Sequence, residues 1–137
     1  MRLFYLLFMF LLCQCTTIQK LQLDLIYEVI HKAEKNEKLT HSEVSLLMNS
    51  YNVSSLRNNV EFSECRSGSV IQIMYNIDNT RKLLDIIKHD KNYQDVLIEE
   101  LHSPIFELNK NKIIGNLKNI KGYGDLKNKI ISILEEL

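Results

Sequence analysis

Apolar residues recur at helical spacing along almost the whole chain, and each run of them is bounded by a capping residue or a turn. From Ile18 to Asn36 they fall at Ile18, Leu21, Leu25, Ile26, Val29, Ile30 and Ala33, the i, i+3, i+4, i+7 stripe of an amphipathic helix. Thr16 or Thr17 can cap it, and Lys32, Lys35 and Lys38 crowd its far end, where the helix dipole favours cations. Thr40-His41-Ser42-Glu43 has capping-box spacing, which predicts a second helix from about His41 to Ser50 with Val44, Leu47, Met48 and Tyr51 on its stripe.

Glu64-Cys65-Arg66-Ser67-Gly68 reads as a polar loop. Ser69 to Asp90 reads as one helix, or as two with a new cap at Asn79. A strand competes over Val70 to Ile77, which is rich in β-branched residues, but the apolar positions do not alternate. Asn92 is the expected cap of a helix with Tyr93, Val96, Leu97 and Leu101 inward. Ser103-Pro104 supplies an N-cap and N1 pair for the next helix, which runs through Ile105, Phe106, Leu108, Ile113, Ile114, Leu117 and Ile120 with a break near Asn109 to Asn111. Gly122-Tyr123-Gly124 is a stop signal, and Asp125 is the expected cap of the last helix, with Leu126, Ile130, Ile131, Leu134 and Leu137 inward.

Amphipathic helices this short are stable only when their stripes are buried against one another. The expected fold is therefore all-α, a compact bundle of about six or seven short helices. One Pro and four Gly argue against a turn-rich β-sandwich. A length of 137 residues holds one domain, and the chain has no long repeat of the kind that builds a solenoid.

The N-terminus departs from this pattern. Arg2 is followed by ten consecutive apolar residues, Leu3 to Leu12. Ten helical residues reach about 15 Å, half of a bilayer core, which suits a signal peptide and not a membrane span. Cys13 and Cys15 are the small residues at −3 and −1 of a cleavage site between Cys15 and Thr16. A lipoprotein signal fits less well, because Leu12 precedes Cys13 and Gln14 precedes Cys15. The expected organisation is a signal peptide at 1–15 and one helical domain at 16–137, secreted to the extracellular space, without a membrane span. The chain ends Glu-Glu-Leu, which is not a retention signal.

After that cleavage Cys65 is the one remaining cysteine, expected as a buried thiol or as an intermolecular disulfide linking a homodimer. Cleavage after Cys13 would instead leave Cys15 to bridge to Cys65. Asn52-Val53-Ser54 is the one glycosylation sequon, which makes Asn52 the candidate glycosylation site. Such a tripeptide also arises by chance in a chain with 13 Asn.

Catalytic signals are absent from the sequence. His31, His41, His89 and His102 show no i, i+4 pairing with each other or with cysteine, and there is no C-x-x-C. No nucleophile elbow or phosphate-binding glycine loop occurs. Glu99-Glu100 and Glu135-Glu136 read as solvated helix faces, since adjacent helical residues point about 100° apart. The turn before Glu43, aligned as a calcium loop, puts Lys32 at the first ligand and Glu37 at the obligatory glycine. Seventeen basic and seventeen acidic residues balance, which argues against bulk nucleic-acid binding, and the lysines read as spread among acids.

The expectation is a non-enzymatic interaction factor, effector- or cytokine-like, that binds an extracellular protein, with no catalytic residue, metal or cofactor. Tyr51, Tyr93 and Tyr123 lie near helix ends as candidate anchors, with core packing the expected fate of at least two. The alternative is a secreted carrier of a lipid or other apolar ligand. A secreted enzyme built on Cys65 and a histidine ranks third.

Overall fold

The computed structural model describes residues 21–53, 56 and 59–137. The signal sequence, its cleavage site, the cap at Thr16 or Thr17 and Ser54 of the sequon lie outside those residues. Seven α-helices and no strand occur among the described residues. None of these helices is long and apolar enough to cross a membrane.

Helix α1 covers residues 21–34. It buries Ile26, Val29, Ile30 and Ala33, whereas Leu21 and Leu25 are exposed, so the core stripe is narrower than the sequence pattern implied. It stops at Asn36, which takes a left-handed φ of 56°. There the Asn36 amide donates to the Ala33 carbonyl and the Glu37 amide to the Lys32 carbonyl, the double bond of a Schellman motif. Leu39 is buried in the turn that follows. The turn is held from outside: the Asn79 side chain accepts from the Leu39 amide at 2.9 Å and donates to the Glu37 carbonyl at 2.7 Å.

The capping box expected at Thr40 is present, with Glu43 reaching back to the Thr40 amide, and it starts α2 (His41–Asn49). One 3-10 turn, Ser50–Asn52, extends α2. Helix α3 (Val60–Ile73) begins at the Asn59 cap and runs through the segment read as a polar loop. Arg66, Ser67, Gly68, Ser69, Val70 and Ile71 are all buried. Successive helical residues step by 100°, so such a run means that the middle of α3 is enclosed on every side. It packs against α2, α4 and α5, and its Phe62 meets Tyr27 of α1 edge-on at 5.5 Å.

The break within Ser69 to Asp90 falls at Met74–Asn76, and Asn76, not Asn79, caps α4 (Ile77–Ile87). Asp90, not Asn92, caps α5 (Lys91–His102). Ser103 ends α5 and starts nothing: its φ of −130° and ψ of 58° leave the helix. The following proline disfavours helical backbone at the residue before it. Residues 103–109 then cross α3, where Ile105 and Phe106 lie against Gly68. Asn109 caps α6 (Lys110–Asn119), and Gly122 and Tyr123 take positive φ before α7 (Gly124–Glu136). Asp125 therefore lies in the first turn of α7 and is not its cap. Helix α7 packs on α5 and α6, and α6 packs on α4.

Candidate functional site

The densest polar chemistry lies around the middle of α3. Arg66 is buried, with its guanidinium 3.8 Å from the centroid of the Tyr51 ring and 5.5 Å from that of Phe62. Its NH1 group donates to the Ser50 carbonyl at 3.1 Å, and its Nε has no hydrogen-bond partner among the described residues. The Tyr51 hydroxyl donates to Oε1 of Glu100 at 2.7 Å, and the Ser67 hydroxyl donates to Oε2 of the same carboxylate. Burial pushes the Tyr51 phenol well above its ordinary value, and the Glu100 carboxylate adds to the shift. The adjacent Arg66 charge opposes it.

This cluster joins the 3-10 turn, α3 and α5 by polar contacts that leave Arg66 Nε alone without a partner among the described residues. Glu100 is thus no solvated glutamate, unlike its exposed neighbour Glu99. Both carboxylate oxygens are committed, and the phenol is held neutral. The arrangement clamps helices. A serine bonded to a carboxylate without an intervening imidazole is not an activated nucleophile.

The histidines do not converge on it. His31 faces Glu34 at 3.6 Å, and His102 Nδ1 lies 2.9 Å from the Ile98 carbonyl within its own helix. All four histidines are exposed. Among the described residues no group of three or more His, Cys, Asp or Glu is placed to hold a metal ion.

Cys65 is a free, half-buried thiol on α3. Asn52 is exposed at the end of the 3-10 turn, and its Nδ2 donates to the Tyr93 hydroxyl at 3.0 Å. Tyr93 in turn donates to Oδ1 of Asn49. Tyr123 donates to Asp85 at 2.6 Å. That bond holds the Asp85 carboxyl below, and the Tyr123 phenol above, their ordinary ranges. The three tyrosines named as anchors are thus half-buried with their hydroxyls engaged, as core packing implies.

The surface features were not visible in the sequence stripes. Leu21, Leu25, Tyr27 and Val60 are exposed to 61%, 44%, 38% and 70% on α1 and the first turn of α3. An open groove of about 380 Å³ lies between α5 and the start of α7, with Lys88, Gln94, Tyr123 and Lys129 on its walls. A second, of about 480 Å³, is lined by residues from Glu107 to Asn111. No family model, curated protein or solved structure matches this chain.

Proposed function

We propose that the chain is a small secreted, non-enzymatic interaction factor that binds an extracellular protein through a helical surface. The observation that carries this reading is the set of large apolar side chains left in solvent on α1 and α3: Leu21, Leu25, Tyr27 and Val60. Exposed aliphatic and aromatic side chains on rigid helices are the usual anchors of helix-face recognition. The carrier reading has less support, because the grooves are open and carry charged side chains on their walls, whereas apolar ligands are held in enclosed apolar cavities.

A glycan on Asn52 and a homodimer through Cys65 belong to the same reading. Asn52 offers an exposed amide beside Tyr93. Cys65 is free and half-buried, so a disulfide to a second copy requires its surroundings to open.

The test has two parts. Full-length chain expressed in a eukaryotic secretory host should appear in the medium with Thr16 as its first residue, and intact mass with and without reductant or glycosidase reads Cys65 and Asn52. Labelled mature chain should bind cells through a trypsin-sensitive receptor. Leu21→Ser with Val60→Asp should abolish that binding while leaving the thermal midpoint in place, since both positions are well exposed. Retention inside the host, or cell binding indifferent to the double variant, overturns the reading.

A further inference from the structure

We propose that the corner where α6 turns into α7 is a binding surface for a linear sulfated polysaccharide. The chain is neutral as a whole, yet its charge is segregated. Residues 110–129 hold six lysines and one acid, Asp125, whereas residues 16–109 hold ten basic and fourteen acidic residues. The ion pairs formed by described residues use His31, Lys32, Lys38, Arg81 and Lys88, and none of the six lysines of 110–129.

The fold gathers these charges. Lys118 and Lys121 are exposed at the end of α6 and just beyond it, and Lys129 is exposed on α7. Lys127 is held at the same corner by donating to the Ile120 carbonyl. The groove of about 380 Å³ opens there, lined by Lys88, Gln94 and Lys129 and by one carboxylate, Asp125. Asp85 beneath it is already engaged by Tyr123 at 2.6 Å and Lys88 at 3.0 Å. Lys88 and Asp85 cancel as a pair, and Lys118, Lys121, Lys127 and Lys129 outnumber Asp125, so the net charge of the corner is positive.

The chemistry of the corner selects among polyanions. No arginine follows Arg81, so the bidentate guanidinium fork that reads guanine is missing. The large exposed apolar residues lie elsewhere, at Leu21, Leu25, Tyr27, Val60, Ile105 and Leu137, which leaves the corner without a wedge to enter a bilayer. It offers instead separated ammonium groups interleaved with exposed Asn119 and Asn128, while the Gln94 Nε2 is engaged by the Ile87 and Lys88 carbonyls. Point charges suit sulfates and the amides suit sugar hydroxyls, and an open groove admits a chain rather than a capped monomer. The choice of a polysaccharide rests on the secretion reading for access to such chains, but the binding itself does not.

The test uses the mature chain, Thr16 to Leu137, and a fluorescent heparin-derived octasaccharide, followed by anisotropy from 50 to 300 mM NaCl. Saturable binding is expected. Lys121→Gln with Lys129→Gln should weaken it about tenfold and lower the slope of log Kd against log salt by about two, one counterion per lost contact. Lys35→Gln with Lys82→Gln removes the same charge elsewhere and should leave Kd within about twofold, since screening confines the field to about a Debye length. Absence of binding at 50 mM NaCl overturns the proposal, as does equal weakening by both pairs. Tighter binding to single-stranded DNA, phosphatidylserine vesicles or a polyglutamate peptide also overturns it. Secretion is read separately, so a chain that binds but stays inside the host refutes the first reading and not this one.

Discussion

Asn79→Ala tests how the turn between α1 and α2 is held. Asn79 is 1% exposed and lies one turn into α4, forty residues from the Leu39 amide that it accepts. Alanine removes that acceptor and the donor to the Glu37 carbonyl. Glu37 is exposed, so its carbonyl can turn to water at little cost. Leu39 is 1% exposed, so its amide is left buried without a partner, a loss of about 1–3 kcal/mol. The vacated volume adds a smaller packing loss, which brings the expected cost to about 2–4 kcal/mol. Urea unfolding measures the total, with an unchanged m-value expected. Amide exchange localises it: Leu39 should exchange about 30- to 100-fold faster than the loss of global stability alone dictates, because the turn can then open by itself. A loss below about 1 kcal/mol would refute the orphaned-amide argument. Unchanged relative protection of Leu39 would assign the cost to packing instead.

Four further outcomes follow from the geometry. Gly115 has open space where a Cβ would stand, so Gly115→Ala should stabilise the chain by about 0.5–1 kcal/mol. A Cβ on Gly68 would lie 3.0 Å from Cδ1 of Ile105, and Gly68→Val should cost about 1–3 kcal/mol by lifting residues 103–109 off α3, both read by thermal melts. Tyr51 holds its proton more tightly folded than unfolded, so its contribution is complete below the unfolded value near 10 and is lost as pH rises above it. Tyr51→Phe should flatten the alkaline fall in stability. Glu43 is held below its ordinary range, first by the Lys32 ammonium and then by the Thr40 amide. Its contribution is present above the unfolded value near 4.3 and is lost as pH falls below it, so Glu43→Gln should flatten the acid limb of a denaturation series.

What the sequence made legible was local. The capping box at Thr40 closes within four residues, so its letters carry the whole interaction. Asn76, Asp90 and Asn109 are also short polar caps, but each has another Asn or Asp within three residues, and composition does not say which one leaves helical backbone. The course of α3 was hidden for a different reason. Its middle looks like a loop because Arg66, Ser67 and Ser69 are polar, and Arg66 and Ser67 find partners 16 and 33 residues away in sequence. A periodicity argument assumes that polar means solvent-facing, and on an enclosed helix that assumption fails. Glu100 was misread by the same logic. Asn36, Asn59, Asn76, Asn79 and Asn109 supply a left-handed helix stop, three caps and the clamp on the α1–α2 turn.

This division of labour among polar residues indicates how function separates from fold in the chain. Arg66, Tyr51, Glu100, Ser67, Asn79 and Thr80 all bond to distant or backbone partners that hold helices together. Any change in binding caused by altering them is confounded by a change in stability. Lys118, Lys121 and Lys129 are exposed, and no carboxylate among the described residues pairs with them. Val60 is 70% exposed. Exposed positions away from caps and networks change stability by no more than about 0.5 kcal/mol when substituted. Binding lost at these positions with the melting curve unmoved is therefore a statement about recognition. The apolar face of α1 and α3 and the basic corner of α6 and α7 can be dissected independently, because no residue is shared between them.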